Sequence, residues 1–325
     1  MTVFHYEKNR ASVLIPVYNR GSLLGECIES AISQTYKDFE VVIVDNASTD
    51  DTWNVCQAWA KRDSRIRIFR NKENLGPVRN WQRCLDEATG EFCKFLFSDD
   101  KLMPDCLSKM VEAIQTHRCE VVVCSALIGE SELSGKVFYT QTHLSTLNQL
   151  QYLGGLIKGT LPVSPGAIFA KTSITKKNLQ LNFPTTKTQR YSEHGAGPDV
   201  MIILGALRQG QALTLAEPLC FFRAHLGSFS IGNMRSEVVD SYRSVIAWTL
   251  TTQHSKKHRD IYIALEWIRQ IKKYKKWVSI KKFSIDYEGN GTIKEAIEIL
   301  GYALGHLIVK SLRKKYKNPL DIFSI

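Results

Sequence analysis

The sequence predicts an α/β protein: a mostly parallel central sheet flanked by helices, followed by a C-terminal helical extension. Three observations carry this. Short apolar runs alternate with helical patterns of about a dozen residues, as in βαβ units. The apolar run at 92–97 stops abruptly at two adjacent carboxylates, Asp99 and Asp100, and Pro104 then opens a helical pattern. Beyond residue 233 strand-like runs give way to long helical patterns. Ligands bind open α/β sheets at the edge where strands end, so the two acids lie where a site is expected. Adjacent carboxylates repel one another, and a divalent cation relieves that repulsion. The plainer alternative is that Asp99 caps the turn and Asp100 faces water.

Residues 11–17 read as a first buried strand, and 22–34 as a helix with Leu23, Leu24, Ile28 and Ile32 on one face. A second strand, 39–44, ends in Asp45. The polar loop 46–52 holds several candidate N-caps, and the next helix carries Trp53, Val55, Cys56 and Trp59. A short third strand follows at 66–69. The turn 74–77 starts a helix through about residue 88, and 92–97 and 120–125 are the fourth and fifth strands. Periodicity fades over 128–150 and resumes at 153–157 and 163–170. Residues 172–195 are polar, and a loop over a site is expected there. Asp199 opens an apolar helix, 200–207, and a strand-like run, 213–222, ends in Arg223-Ala-His225. Helical patterns then cover 238–251, 257–277 and 293–315.

Composition narrows the options. The chain is 44% apolar and 23% charged, as in ordinary globular proteins. Residues 1–10 are polar, so no secretory signal is expected. The longest apolar stretch, 297–309, is interrupted by Glu298 and His306 and is too short to span a bilayer. The eight cysteines lack paired metal-site spacing and read as reduced core residues of a cytoplasmic protein. Pro16-Val-Tyr-Asn-Arg-Gly21 follows the first strand where a dinucleotide fold carries Gly-x-Gly-x-x-Gly, and no Walker-type loop is present. Charge is uneven. Residues 235–325 hold 18 Lys and Arg against 9 Asp and Glu, hence +9 of the total +11. A basic tail on a near-neutral body suggests an anionic surface as partner.

Four segments together resemble bacterial family 2 glycosyltransferases, which have the GT-A fold. Val13-Leu-Ile-Pro-Val-Tyr-Asn19 is similar to the opening strand of that family. Val42-Ile-Val-Asp-Asn-Ala-Ser-Thr-Asp-Asp-Thr52 is similar to its nucleotide-base loop. Asn74-Leu-Gly-Pro-Val-Arg-Asn80 with Phe97-Ser-Asp-Asp100 resembles its donor site and metal motif. Pro198-Asp199, Glu217-Pro-Leu219 and Phe222-Arg-Ala-His225 resemble its acceptor half. The resemblance spans about residues 11–230. It implies a catalytic domain over 1–232, with a donor half to about 126 and an acceptor half from about 127, and leaves 233–325 as a separate basic helical region.

The implied activity is sugar transfer from a nucleotide-diphosphate sugar, UDP-linked in the first instance, to a hydroxyl, with inversion. The acceptor is a glycan or a lipid-linked glycan of surface polysaccharide synthesis. The leaving diphosphate needs positive charge, which Mn2+ or Mg2+ on one or two carboxylates supplies. Asp100 is the first choice as metal ligand and His225 an additional one, with a structural histidine as the alternative. Asp99 contacts the ribose or supports the metal. Phe97 stands where the fuller motif has another acid. Asp45 is expected to accept the imide N–H of the base. Pro16, Tyr18 and Arg20 line the same edge. Tyr18 packs on the base or simply closes the strand, and Arg79 pairs with diphosphate or with water. Asp199 is either a helix cap or the general base that inversion requires, and the family pattern favours the base, with Glu193 in reserve.

Two other function classes compete. The basic tail allows a nucleic-acid-binding protein, but no helix-turn-helix, zinc or RNA-binding motif is present, and no nucleic-acid partner is expected. A GT-A-like scaffold without activity is disfavoured by the joint presence of Asp45, Asp99, Asp100 and Asp199. The tail is expected to dock the enzyme on the inner face of the cell membrane. Lys272, Lys273, Lys275 and Lys276 lie beside Tyr274 and Trp277, aromatic residues suited to the headgroup level. The alternative is a solvated face of a helical subdomain that packs on the catalytic domain or forms a homo-oligomer. Each basic residue near an anionic leaflet contributes on the order of 1 kcal/mol. Co-sedimentation with anionic liposomes is expected at low salt. It should weaken with added salt and with removal of those four lysines, and no binding at low salt rules docking out.

Overall fold

A computed structural model describes residues 6–140, 144–181, 191–225 and 235–254, with 262 and 266. In chain order, β1 (Glu7–Val17), α1 (Gly21–Ile32), β2 (Phe39–Asp45), α2 (Thr52–Arg62), β3 (Ile66–Arg70), α3 (Pro77–Glu87) and β4 (Gly90–Phe95) form three βαβ units. Next come β5 (Lys101–Leu102), α4 (Cys106–His117), β6 (Val121–Gly129), β7 (Lys136–Phe138), β8 (Ser145–Leu147) and α5 (Gln149–Lys158). Then follow β9 (Ile168–Lys171), α6 (Thr172–Asn178), α7 (Tyr191–His194), α8 (Pro198–Ala206) and β10 (Ala212–Arg223).

The strands lie in the order β3-β2-β1-β4-β9-β6-β10-β5, with β7 beside β6 and β8 beside β10. β1 pairs in parallel with β2 and with β4, and β2 with β3. β9 runs antiparallel to both β4 and β6, and β10 runs parallel to β6. Reversing twice restores direction, so β1, β2, β3, β4, β6 and β10 all point the same way. Their C-terminal ends therefore share one edge of the sheet.

Every residue from Ala11 to Val17 is buried, because β1 is covered on both faces. On one face Ala11, Val13, Ile15 and Val17 join Leu24 and Ile28 of α1 and Met110 and Ile114 of α4. Alternation sends Leu14 to the other face, where α3 buries Val78, Trp81 and Leu85. Pro77 and Pro198 each stand in the first turn of their helix, where a missing N–H costs nothing. All eight cysteines are buried and unpaired, and the Cys124 and Cys220 sulfurs lie 3.5 Å apart. Beside them Lys94 is fully buried, and its ammonium donates to the carbonyls of Gly166 and Phe95.

The polar stretch 172–195 is not wholly a loop. Thr172–Asn178 forms α6, with Thr172 and Thr175 buried. Two turns are too short to show helical periodicity, and Lys176 is used in an ion pair with Asp86 at 2.6 Å. Residues 182–190 lie outside the described ones. The described residues fall in two units, one within Met1–Asn182 and Tyr191–Arg235, the other within Phe183–Arg190 and Ser236–Ile325. In the second, α9 (Arg235–Gln253) presents Arg243 to Glu266 at 3.0 Å. The expected helices at 257–277 and 293–315, and the basic clusters on which membrane docking rests, lie outside the described residues.

One buried carboxylate ties the N-terminal strands together at the edge opposite their C-termini. Glu40 of β2 is fully buried, and its Oε1 accepts from the Ser12 hydroxyl at 2.7 Å, the Thr89 N–H at 2.6 Å and the Thr89 hydroxyl at 2.9 Å. Its Oε2 accepts from Arg67 at 2.8 Å. Ser12 Oγ in turn accepts the Gly90 N–H at 2.9 Å. Only glycine fits at position 90, since a Cβ there would lie 2.7 Å from the Arg10 carbonyl oxygen. Burial raises the Glu40 pKa, but the Thr89 N–H, the Arg67 guanidinium and the two hydroxyls together bring it below the usual value. A lowered folded pKa means that Glu40 stabilises the fold above the ordinary carboxylate range. That contribution is lost as pH falls through the folded value. Glu40→Gln would turn an amide NH2 toward Arg67. It is expected to cost roughly 2–3 kcal/mol at neutral pH, less than a fully buried pair because Arg67 is partly exposed. Urea unfolding of both proteins should show the difference shrinking toward pH 4, and a pH-independent difference excludes this role.

Candidate functional site

The shared C-terminal edge gathers most of the residues expected to act. β4 ends at Phe95, and the chain turns through Ser98, Asp99 and Asp100 into β5, closed by the Asp100 N–H donating to the Phe97 carbonyl at 2.9 Å. β10 arrives beside this turn. The Arg223 N–H donates to Asp100 Oδ1 at 2.9 Å, and Arg223 Nε donates to the Asp99 carbonyl at 3.1 Å. Two residues on, His225 Nε2 lies 2.9 Å from Asp99 Oδ2. Arg20, just past β1, brings its Nε to 3.8 Å from the same oxygen. Residues from three separate strand ends thus meet at one carboxylate. Burial holds the Asp100 carboxyl well above its usual range, and the Asp99 charge adds to this, while the Arg223 N–H works against it.

Asp45 sits at the same edge, at the end of β2, and is fully buried. Its Oδ1 accepts the Ser48 N–H at 3.1 Å. Arg70 Nε lies 3.0 Å from Oδ2 but is poorly aligned, so Oδ2 is paired by charge without a directed hydrogen bond. Arg70 also donates to the Ser48 carbonyl at 2.8 Å and bears on the Trp53 ring, bracing the loop after Asp45. Four asparagines fix the neighbouring loop. Asn46 donates to Asn74 at 2.8 Å and accepts the Leu75 N–H at 3.0 Å, while Asn71 donates to Asn46 and to Asn80, each at 2.9 Å.

Asp199 lies in the first turn of α8 and is 6% exposed. Its Oδ1 accepts the N–H groups of Gly197 at 2.7 Å and Val200 at 2.6 Å, which fixes the plane of the carboxylate. Side-chain contacts link the start of this helix to the acidic turn. Gly195, at φ +73°, packs on Trp81 so closely that a Cβ would lie 2.3 Å from its ring. Trp81 in turn meets Phe97 with ring centroids 5.6 Å apart. Of the remaining expected residues, Pro16 is buried within β1 opposite Val44, and Tyr18 is 41% exposed just beyond the strand. Arg79 is exposed on α3. Sequence reading assigns no role to Arg223, which it shows only within Phe222-Arg-Ala-His225, and does not single out Arg70, Glu26, Lys101 or Trp81. Arg70 had a legible signal, since it ends β3 in register with Asp45.

The family model for glycosyl transferase family 2 matches residues 12–176, about half of the chain. The chain belongs to that family. A GalNAc(5)-diNAcBac-PP-undecaprenol beta-1,3-glucosyltransferase of Campylobacter jejuni is 40% identical over 104 residues, 32% of this chain and 34% of that protein. The glycosyltransferase GlyG of Streptococcus pneumoniae is 30% identical over 112 residues, 34% of this chain and 37% of that protein. The matched part thus spans about a third of these curated relatives. The crystal structure of S. aureus TarS 1–349 in complex with UDP superposes with a TM-score of 0.61 at 20% identity, covering 90% of this chain and 80% of that one. The architecture is the GT-A fold.

Family 2 enzymes with this fold commonly use a divalent metal. Among the described residues no group of three or more His, Cys, Asp or Glu side chains is placed to enclose an ion. Asp99 and Asp100 nevertheless fit a partial shell. Magnesium-like ions are usually held by one or two carboxylates, with substrate phosphates and water completing the octahedron. The Asp100 carboxylate, buried beside a second carboxylate, is the kind of group a cation would stabilise. No helix among the described residues is long and apolar enough to cross a membrane.

Proposed function

We propose that this chain transfers a sugar from a UDP-sugar to a hydroxyl of a glycan or lipid-linked glycan, inverting the anomeric centre, in bacterial surface polysaccharide synthesis. The observation that carries this is the meeting of Arg20, Asp99, Asp100 and His225 at the strand-end edge that also bears Asp45. The UDP and UDP-GlcNAc complexes of TarS support the donor class. The undecaprenol in the name of the C. jejuni relative supports a lipid-linked acceptor. Residues 1–232 would form the transfer domain, and the basic region 233–325 would hold it at the inner face of the membrane.

Each residue has a distinct task. Asp45 accepts the base imide N–H; its buried Oδ2 lies behind Arg70, 3.0 Å away, so Arg70 must swing aside for the base to reach it. Pro16 and Tyr18 flank that position, and the exposed Tyr18 ring is free to stack on the base. Arg20 and Arg79 offer guanidinium groups to the diphosphate. Asp99 and Asp100, with His225 beside Asp99, would hold Mn2+ or Mg2+. The ion's charge would stabilise the departing diphosphate. On the opposite side of the sugar, Asp199 accepts the proton of the acceptor hydroxyl as its oxygen attacks the anomeric carbon. Its anchored Oδ1 holds the carboxylate ready for this.

Two variants test these roles. Asp100→Ala is expected to abolish divalent-metal-dependent transfer, measured as UDP release with and without chelator; full activity in chelator overturns the metal assignment. Asp199→Asn keeps shape and loses basicity. It should bind UDP-sugar almost normally and turn over about 10²–10⁴-fold more slowly. A collapse of donor affinity with unchanged turnover at saturation would make Asp199 a donor-binding residue instead.

A further inference from the structure

The acidic turn is braced from behind by residues that none of the roles above uses. Arg223 ends β10 with its side chain 17% exposed. Its Nε reaches the Asp99 carbonyl at 3.1 Å, and its Nη2 reaches Glu26 Oε2 of α1 at 2.9 Å. Glu26 also takes Lys101 Nζ at 2.8 Å, and Lys101 directly follows Asp100. Lys101 is further held by Glu132 at 2.9 Å. The turn is therefore gripped at both ends, at the Asp99 carbonyl by Arg223 and at Lys101 by Glu26. Glu26 is common to both grips. Hydrogen bonds from Lys101 and Arg223 lower its pKa, so it is a charged anchor.

We infer that Arg223 is a positioning residue, which with Glu26 and Lys101 holds the Asp99–Asp100 turn closed so that both carboxylates can meet one cation. The physical need is plain. Two adjacent carboxylates repel, and a turn joined only at its ends would relieve that repulsion by splaying apart. A guanidinium fork donates in two directions at fixed angles, to a carbonyl and to a carboxylate at once. A lysine ammonium keeps the charge but reaches only one of them from this position. The bond from the Arg223 peptide N–H to Asp100 does not involve the side chain, so Arg223→Lys isolates the grip on Asp99.

This presupposes Asp99 and Asp100 as the metal and diphosphate site, and binding of UDP to the full chain separates the two ideas. Calorimetric titration with UDP is compared in saturating Mn2+ and in chelator. Wild-type protein should bind more tightly with Mn2+. Arg223→Lys should lose about tenfold in affinity with Mn2+, as for one charge-assisted hydrogen bond, and stay within about twofold of wild type in chelator. Glu26→Gln should show a smaller loss of the same kind. The double variant should lose less than the two single losses combined, because Glu26 is shared by both grips. A purely structural ion pair lowers the melting temperature and leaves the Mn2+ increment intact; that result, or equal losses in both conditions, overturns the inference. Should Arg223→Lys fail to fold, Glu26→Gln decides on the same criterion. A wild-type protein with no Mn2+ increment overturns the metal-site assignment itself.

Discussion

The in-register parallel pairing of β1 with β2 and β4 is the constraint on which the site depends. Leu14 stands opposite Val42 on one side and Phe95 on the other. That register sets how far each strand reaches beyond its neighbour. It brings Asp45, Arg20 and the turn after β4 to one edge. A slip of one residue would send every side chain to the opposite face, setting each against the wrong one of the two layers that cover this buried run. The network around Glu40 secures the same register at the far end, where Ser12, Thr89 and Arg67 converge on one carboxylate.

The second half of the site depends on a reversal. β9 enters antiparallel between β4 and β6, so β6 and β10 resume the direction of the first strands. Without it, Arg223 and His225 would emerge at the wrong edge. The sheet thus joins consecutive βαβ units to β10, which begins well beyond the end of β4 in sequence. The contact of His225 with Asp99 crosses 126 positions, which no local pattern could reveal.

What was legible in the sequence follows the range of the interactions. β1, α1, β2, α2, β3, α3 and β4 were readable because apolar periodicity is a local signal, and their bounds differ from expectation mainly at the ends. Asp45, Asp99 and Asp199 were readable as acids at strand or helix ends. α6 was missed because its seven residues are too few for a period, and its two lysines resemble a loop. β7, β8 and β5 escaped because strands of two or three residues leave no alternation. Arg223 was visible as part of a family pattern, but its partners Glu26 and Asp99 meet it only in the folded chain. The packing of Trp81 on Gly195 is likewise a product of tertiary contact between α3 and the segment before α8.

The complete burial of the cysteines makes the chain its own reporter of opening. Cys27 lies under the acidic turn, donating to the Phe97 carbonyl, Cys56 in the helix that follows the loop after Asp45, and Cys220 in the strand that carries Arg223. A thiol reagent in solution reaches such sulfurs only when the covering element lifts away, so alkylation at each position becomes a clock for one local excursion. Because these clocks sit behind different parts of one edge, their relative speeds would show which wall of the site opens first.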